Sequence, residues 1–154
     1  MKIIRVMFVC LGNICRSPMA EYILKDMAKK RSLGDNLQID SAATSREEIG
    51  NDVYPPARKC LLSHGIACPR RQARQIRPSD LNSYDYILYM ERYNESGLGR
   101  IFGSLPEGKV LRLLSLTEHP RDVDDPCYTG DFEQAYKDIV EGCQALLHHL
   151  EDRL

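Results

Sequence analysis

An apolar stretch followed at once by a helical pattern is the feature of this sequence that most limits its fold. Residues 3–9 are apolar except for a single arginine and predict a buried strand, and residues 18–30 have the spacing of an amphipathic helix. The eight residues between them, CLGNICRS from Cys10 to Ser17, form a connecting loop. Ser17 is a typical N-cap and Pro18 suits the first helical turn, so we predict that the helix begins at this loop.

Strand and helix patterns alternate along the rest of the chain. Further strands are predicted at 37–42, 84–90 and 109–113, and further helices at 56–64 and 131–154. This alternation favours a parallel sheet with right-handed crossovers and helices on both faces. We therefore expect an α/β fold of three layers around a mostly four-stranded parallel sheet, built as a single domain over residues 1–154. Ligands of such sheets bind beyond the carboxyl ends of the strands, where the Cys10 loop lies.

The loop has the residues of a phosphate-binding site. The backbone N–H groups of residues 11–16 can surround a tetrahedral oxyanion, the helix adds its positive end, and Arg16 adds a two-pronged cation. Gly12 and Asn13 tolerate the left-handed backbone that such a curl requires. Cys10 would lie beneath the phosphorus, where the same field favours a thiolate. Cys10 is therefore a candidate nucleophile, and a small buried core residue is the alternative interpretation.

Charge and cysteine content narrow the function classes. The net charge of −1 gives no bulk attraction to nucleic acid or to an anionic membrane, so we expect neither as a partner. The apolar start carries no cleavage signal and no apolar run approaches the roughly 20 residues of a membrane span, which favours a cytoplasmic protein. Its six cysteines are then expected to be thiols. Because the spacing of Cys60 and Cys68 is unlike that of a zinc site, we expect no metal and no cofactor.

Residues 9–21, VCLGNICRSPMAE, resemble the low-molecular-weight protein tyrosine phosphatase family. The resemblance continues through Ile39-Asp40-Ser41, His64-Gly65-Ile66, Ala73-Arg74-Gln75, Tyr86-Ile87-Leu88 with Met90, and Asp125-Pro126. It implies a metal-independent hydrolase that cleaves phosphotyrosine through a phosphocysteine intermediate. The implied partners are phosphotyrosine-containing proteins or peptides, together with phosphate and oxyanion inhibitors, and we expect a monomer.

The resemblance also assigns the catalytic groups. It makes Cys10 the nucleophile and Arg16 the phosphate clamp, and it implies a reversible disulfide between Cys10 and Cys15 that protects the nucleophile from further oxidation. Simple packing of Cys15 under the loop is the alternative. Among Asp122, Asp124 and Asp125, only Asp125 precedes a proline as the family's general acid does, and that proline favours an extended backbone. Spacing alone would favour an ordinary solvated acidic loop.

Supporting and pocket residues follow from the same comparison. Asn13 resembles the asparagine that locks the loop, with Ser41 as its expected partner, and Ser17 resembles the hydroxyl that steadies the thiolate. A histidine brace of the family is replaced by Arg71, which either adds positive potential near the loop or faces solvent. The predicted substrate-binding residues are Leu11, Gly12, Asn13, Ile14, Cys15, Ser17, Glu47 and Tyr128.

Substrate preference is less defined. Cys127 and Glu47 stand where tyrosine-selective relatives have aromatic walls, so Tyr128 or Tyr54 would have to replace them. Ile14 matches tyrosine-type relatives, whereas those acting on phosphoarginine tend to carry threonine. The alternatives are a phosphatase for phosphoarginine or small phosphomonoesters, an arsenate reductase of the same fold, and a phospho-ligand binding module without turnover. A nucleotide-binding P-loop is excluded because no Gly-Lys-Ser/Thr follows a glycine-rich loop.

Overall fold

The strand that ends at the candidate nucleophile lies inside a four-stranded sheet. In the computed structural model, which describes residues 2–154, the strands are β1 (Ile4–Cys10), β2 (Leu37–Ala43), β3 (Tyr86–Tyr89) and β4 (Val110–Arg112). Their order is β2-β1-β3-β4, and every neighbouring pair is parallel. Because β1 has a neighbour on each side and layers on both faces, nearly all of its side chains are buried. The predicted fold class is confirmed.

The helices form the two outer layers. They are α1 (Arg16–Lys30), α2 (Pro55–Ser63), α3 (Asp80–Ser83), α4 (Tyr93–Phe102), α5 (Pro126–Thr129) and α6 (Phe132–Leu150). Alternate residues of β1 point to opposite faces: Val6 and Phe8 join the core with α1, α2 and α6, while Met7 and Val9 join the core with α4. No helix within residues 2–154 is long and apolar enough to cross a membrane.

The structure corrects several predicted boundaries. Helix α1 begins at Arg16 rather than Pro18, so Ser17 lies in its first turn and is not its N-cap. The carboxyl-terminal helix ends at Leu150 and continues as a 3-10 turn. Helices α3, α4 and α5 were not predicted. In α4 the glycines interrupt the helical pattern, and Gly97 is needed because a Cβ there would lie 3.0 Å from the Cβ of Thr44.

Glycine also permits the close approach of α6 to the segment after β4. A Cβ added at Gly142 would lie 2.5 Å from Cγ of Leu113, which is far inside a normal contact. Leu113 begins a 3-10 turn and is fully buried against α6. Because Gly142 has no side chain, this turn can pack closely on the helix layer. The same contact sets the position of the loop that continues from the turn toward the site.

Candidate active site

The loop between β1 and α1 surrounds the sulfur of Cys10. The backbone N–H groups of Asn13 and Ser17 donate to Cys10 Sγ at 3.3 and 3.4 Å, and Ser17 Oγ lies 3.0 Å from it. Since Asn13 Nδ2 donates to Ser17 Oγ at 2.8 Å, the hydroxyl proton is free to point at the sulfur. Three donors thus converge on Cys10, which is the arrangement that stabilises a thiolate.

Asn13 fixes the shape of the loop. Its backbone is left-handed, with φ of 60°, and its side chain is fully buried. Besides Ser17, Nδ2 donates to Ser41 Oγ at 3.0 Å, so the predicted contact with Ser41 is confirmed. Oδ1 accepts from the backbone N–H of Arg74 at 3.3 Å. Gly12, in contrast, is outside the left-handed region, contrary to expectation, and its small size matters because a Cβ would lie 3.2 Å from Cγ of Glu48.

Arg71 braces the loop from below. Its guanidinium donates to the backbone carbonyl of Asn13 at 2.9 Å, to Asn13 Oδ1 at 2.7 Å and to Ser41 Oγ at 3.2 Å. Of the two interpretations left open by the sequence, the solvent-facing one is therefore wrong. Ser41 Oγ in turn donates to the buried carboxylate of Glu21 at 2.5 Å. Glu21 was missed as part of this network, although it lies within the recognised motif.

Arg16 is held by carboxylates from two other loops. Its side chain is 2% exposed, forms an ion pair with Glu91 through Nη1, donates to the Val123 carbonyl at 2.8 Å, and places Nη2 3.5 Å from Asp125 Oδ2. Burial alone lowers the pKa of Arg16, but the negative charges of Cys10 and Glu91 outweigh it and raise that pKa overall. Glu91 was not predicted. The available signal was its position directly beyond the carboxyl end of β3.

Asp125 is the one aspartate of the predicted three that lines the pocket. Its backbone is extended, as the following proline predicts, and its Oδ1 accepts from the N–H of Cys127 at 3.0 Å as the N-cap of α5. Asp122 instead accepts from the N–H of Arg92 and pairs with Arg112. The capping bond fixes the Asp125 carboxyl while its second oxygen faces Arg16.

These groups border one cavity of about 250 Å³. Its lining consists of Cys10, Leu11, Gly12, Ile14, Cys15, Arg16, Glu47, Glu48, Asp125, Cys127 and Tyr128. All site residues predicted from the sequence line this cavity except Asn13 and Ser17, which are buried beneath the loop. Glu48 and Cys127 also line the cavity and were not among the predicted site residues. Tyr128 is 89% exposed at the rim, whereas Tyr54 is absent from the lining and packs its ring against Phe132.

A pair of cysteines forms part of the cavity wall. Cys15 Sγ lies 3.0 Å from Cys127 Sγ, and both are free thiols, as is Cys10. Burial raises the pKa of the Cys15 thiol well above its usual range, and the contact with Cys127 raises it further. Cys15 therefore has a specific partner from α5 in addition to its packing under the loop.

A possible metal-ligand group lies away from the cavity. Cys60, His64 and Glu133 place one ligand atom each within 4.8 Å of one another. His64 Nε2 is 2.9 Å from Glu133 Oε1, and the imidazole stacks on Tyr136 with ring centroids 3.7 Å apart. Those contacts link the end of α2 to α6, and this link explains why the three side chains lie together. Within residues 2–154 it is the one group of this kind, and it shares no residue with the pocket.

Comparison with known proteins now identifies the family. The family model described as low molecular weight phosphotyrosine protein phosphatase matches residues 5–154. The chain belongs to this family. The phosphatase is 40% identical over 150 residues to the low molecular weight protein-tyrosine-phosphatase YfkJ of Bacillus subtilis, with 96% of each chain covered. It is 38% identical over 147 residues to the human low molecular weight phosphotyrosine protein phosphatase, with 92% of each chain covered.

Solved structures agree with the sequence relatives. The crystal structure of YfkJ has a TM-score of 0.94 to this phosphatase at 39% identity, covering 99% of this chain and 98% of that one. The crystal structure of a Drosophila arginine phosphatase has a TM-score of 0.85 at 33% identity, covering 98% of both chains. The predicted family and the predicted class of enzyme, a protein phosphatase that acts as a hydrolase, are confirmed.

Proposed function

We propose that this phosphatase hydrolyses phosphotyrosine in proteins or peptides with Cys10 as nucleophile, Arg16 as phosphate clamp and Asp125 as general acid and base. The observation that supports it most directly is the convergence of all three groups on one cavity, with three hydrogen-bond donors on the Cys10 sulfur. Thiolate, cation and carboxyl are the groups that nucleophilic phosphoryl transfer requires.

In the first step the phosphate lies in the loop above Cys10. The amides of residues 11–16 and the guanidinium of Arg16 contact the non-bridging oxygens, where charge accumulates as the sulfur attacks. Glu91 keeps Arg16 in place, since it pairs with Nη1 and leaves Nη2 toward the cavity. Asp125 gives its proton to the leaving phenolic oxygen, which is a poor leaving group when it departs as an anion.

In the second step the phosphocysteine is hydrolysed. Asp125, now a carboxylate, takes a proton from water, and the water oxygen attacks phosphorus while the Cys10–phosphorus bond breaks. The sulfur leaves as a thiolate, and the Ser17 hydroxyl with the N–H groups of Asn13 and Ser17 stabilises that charge. Free phosphate then leaves the loop, so phosphate and other tetrahedral oxyanions should compete with substrate.

The cavity wall supports a preference for basic phosphotyrosine peptides. Leu11 and Ile14 offer apolar surface to an aromatic ring, and the exposed ring of Tyr128 adds one aromatic face at the rim. Glu47 and Glu48 also line the cavity, and their two carboxylates repel acidic peptides and attract basic ones. The monomeric state and cytoplasmic location expected from the sequence belong to the same proposal.

Phosphoarginine is a second candidate substrate. The phosphatase is similar to a Drosophila arginine phosphatase, and its rim carboxylates could pair with the cationic guanidinium group of such a substrate. Ile14 argues against phosphoarginine, because its branched apolar side chain lines the cavity and offers no polar partner to a guanidinium group. Matched peptides that differ only in phosphotyrosine or phosphoarginine separate the two candidates by their kcat/KM.

The test is phosphate release from a phosphotyrosine peptide in EDTA and reductant at mildly acidic pH, with Cys10→Ser as the control. We expect release by the wild type and none by the variant, which should still bind vanadate or phosphate. Turnover by Cys10→Ser would overturn the assignment of the nucleophile. Loss of turnover in EDTA would contradict metal-independent catalysis.

A further inference from the structure

Two thiols that are far apart in the sequence meet at the wall of the active-site cavity. Cys15 belongs to the phosphate-binding loop and directly precedes Arg16, while Cys127 lies in α5, two residues after Asp125. Their sulfurs are 3.0 Å apart. A disulfide bond is about 2.0 Å long, so the sulfurs need to approach by only about 1 Å, which small side-chain rotations provide.

Neither of these two thiols is the first target of an oxidant. Peroxide reacts with thiolates, and burial raises the pKa of the Cys15 thiol and also that of the Cys127 thiol, so both are protonated at neutral pH. Cys10 opens onto the same cavity and has three donors on its sulfur. Oxidation therefore starts at Cys10. Cys15 lines the same cavity and lies close enough for the charge of Cys10 to raise its pKa, so it is the thiol of the loop that can condense with Cys10.

We propose that Cys127 is a second resolving cysteine. It attacks Cys15 of the Cys10–Cys15 disulfide, so that a Cys15–Cys127 disulfide forms and Cys10 is released as a free thiolate. The contact at 3.0 Å and the position of both sulfurs in the cavity wall carry this inference. It rests on the proposed function, because it takes Cys10 as the reactive nucleophile.

The chemistry balances with hydrogen peroxide as the only oxidant. The Cys10 thiolate attacks one peroxide oxygen, the O–O bond breaks, and the departing hydroxide takes a proton from solvent, so that a sulfenic acid and water form. Cys15 loses its proton and attacks the Cys10 sulfur, the S–O bond breaks, and a second water leaves. Cys127 then gives its proton to solvent and attacks Cys15 Sγ, so that the Cys10–Cys15 bond breaks and Cys10 departs as a thiolate. Peroxide gains two electrons, and Cys15 and Cys127 lose one each.

The direction of the last step follows from the leaving group. In thiol–disulfide exchange the sulfur that best carries negative charge leaves fastest, and Cys10 is the sulfur that the loop amides and Ser17 stabilise. Cys127 is on an exposed residue at the cavity wall, so its proton can reach solvent. The product keeps the nucleophile reduced and links α5 covalently to the phosphate-binding loop.

The experiment is a short peroxide pulse ended by catalase, with no reductant added. Activity is followed as a fraction of each variant's own reduced activity, and disulfides are mapped by alkylation and peptide mass spectrometry. We expect the wild type to regain activity and to show a Cys15–Cys127 link with Cys10 alkylated. Cys127→Ser should stop at Cys10–Cys15 and stay inactive until dithiothreitol is added.

Two further variants complete the test. Cys68→Ser, a half-buried cysteine outside the cavity, is the matched control and should behave as the wild type does. Cys10→Ser should form no Cys15–Cys127 link, because the relay cannot start. A wild-type map with only Cys10–Cys15, or equal recovery of Cys127→Ser, would overturn the proposal, and so would a Cys15–Cys127 link formed at the wild-type rate in Cys10→Ser.

The same samples separate the two levels of inference. The peptide map reports the disulfide whether or not the protein turns over substrate. If the fully reduced wild type released no phosphate while the map showed Cys15–Cys127, the proposed function would fail and the cysteine pair would stand. If reduced protein is active and the map shows no such link, the pair fails and the function stands.

Discussion

Arg71→Ala should cost roughly 30- to 150-fold in kcat/KM without unfolding the protein. The substitution removes three hydrogen bonds, two to Asn13 and one to Ser41. A buried acceptor left without a partner costs about 1–3 kcal/mol, and the Asn13 carbonyl loses its Arg71 donor. The left-handed backbone conformation of Asn13 costs a further 1–2 kcal/mol or so, at the low end for asparagine. Without Arg71 fewer contacts offset that cost and hold the loop in its active shape.

Because Arg71 is half-buried and water replaces part of what it provides, we take the total as about 2–3 kcal/mol. At about 1.4 kcal/mol per factor of ten this gives the stated range. The loss should fall more on kcat than on KM, since the misplaced amides of the loop are aimed at charge that develops in the transition state.

The assay is steady-state hydrolysis of an aryl phosphate by Arg71→Ala, with Arg70→Ala as the matched control because Arg70 is an exposed neighbour. Added guanidinium ion should restore part of the activity of Arg71→Ala and have no such effect on the control. Wild-type kcat/KM in Arg71→Ala would refute the brace. A loss that merely tracked the fraction of unfolded protein, measured by circular dichroism, would refute the positioning role.

Three other outcomes follow from the structure. Asp125→Ala should slow hydrolysis of alkyl phosphates by about 10²–10⁴-fold and activated aryl phosphates much less, and equal losses on both in a leaving-group series would remove Asp125 from the acid role. Gly142→Ala should lower the free energy of unfolding by about 1–3 kcal/mol in urea titrations, because its Cβ would overlap Leu113; an unchanged midpoint would show that the turn relaxes freely. Arg58 lowers the pKa of Asp52 in the folded state, so Asp52 stabilises the protein above its ordinary pKa of about 3.9 and that contribution is lost as pH falls through the lower folded value. Asp52→Asn should therefore have a lower Tm than the wild type at neutral pH, with the difference shrinking in acid; a constant difference would contradict the linkage.

Local patterns were sufficient for the catalytic loop. Cys10, Arg16 and the loop between them lie within one strand–loop–helix unit, so their mutual placement depends on short-range geometry that residue types report directly. Asp125 was predicted from the family resemblance, in which the general acid precedes a proline, because spacing alone favoured an ordinary solvated acidic loop. The strand periodicities likewise predicted the parallel sheet, since buried strands and amphipathic helices differ in their spacing of apolar residues.

The partners of that loop were less accessible from the sequence. Glu91, Arg71 and Cys127 reach it from three distant segments. Position beyond a strand end or in a family motif brings such residues near the loop, but local sequence does not specify which atoms they contact there. Helix α4 was missed for a different reason, because glycines lower local helix propensity and tertiary contact with Thr44 makes up for it.

The strand order explains why an open space exists above Cys10 at all. From β1 the chain crosses to β2 on one side, and it returns past β1 to reach β3 on the other. The connections that leave the carboxyl ends of β1 and β3 therefore run in opposite directions, one to β2 and the other to β4, and a crevice forms where they diverge. The crevice is a property of the path of the chain, so substitutions at its rim can change what the enzyme accepts without closing the space in which it works.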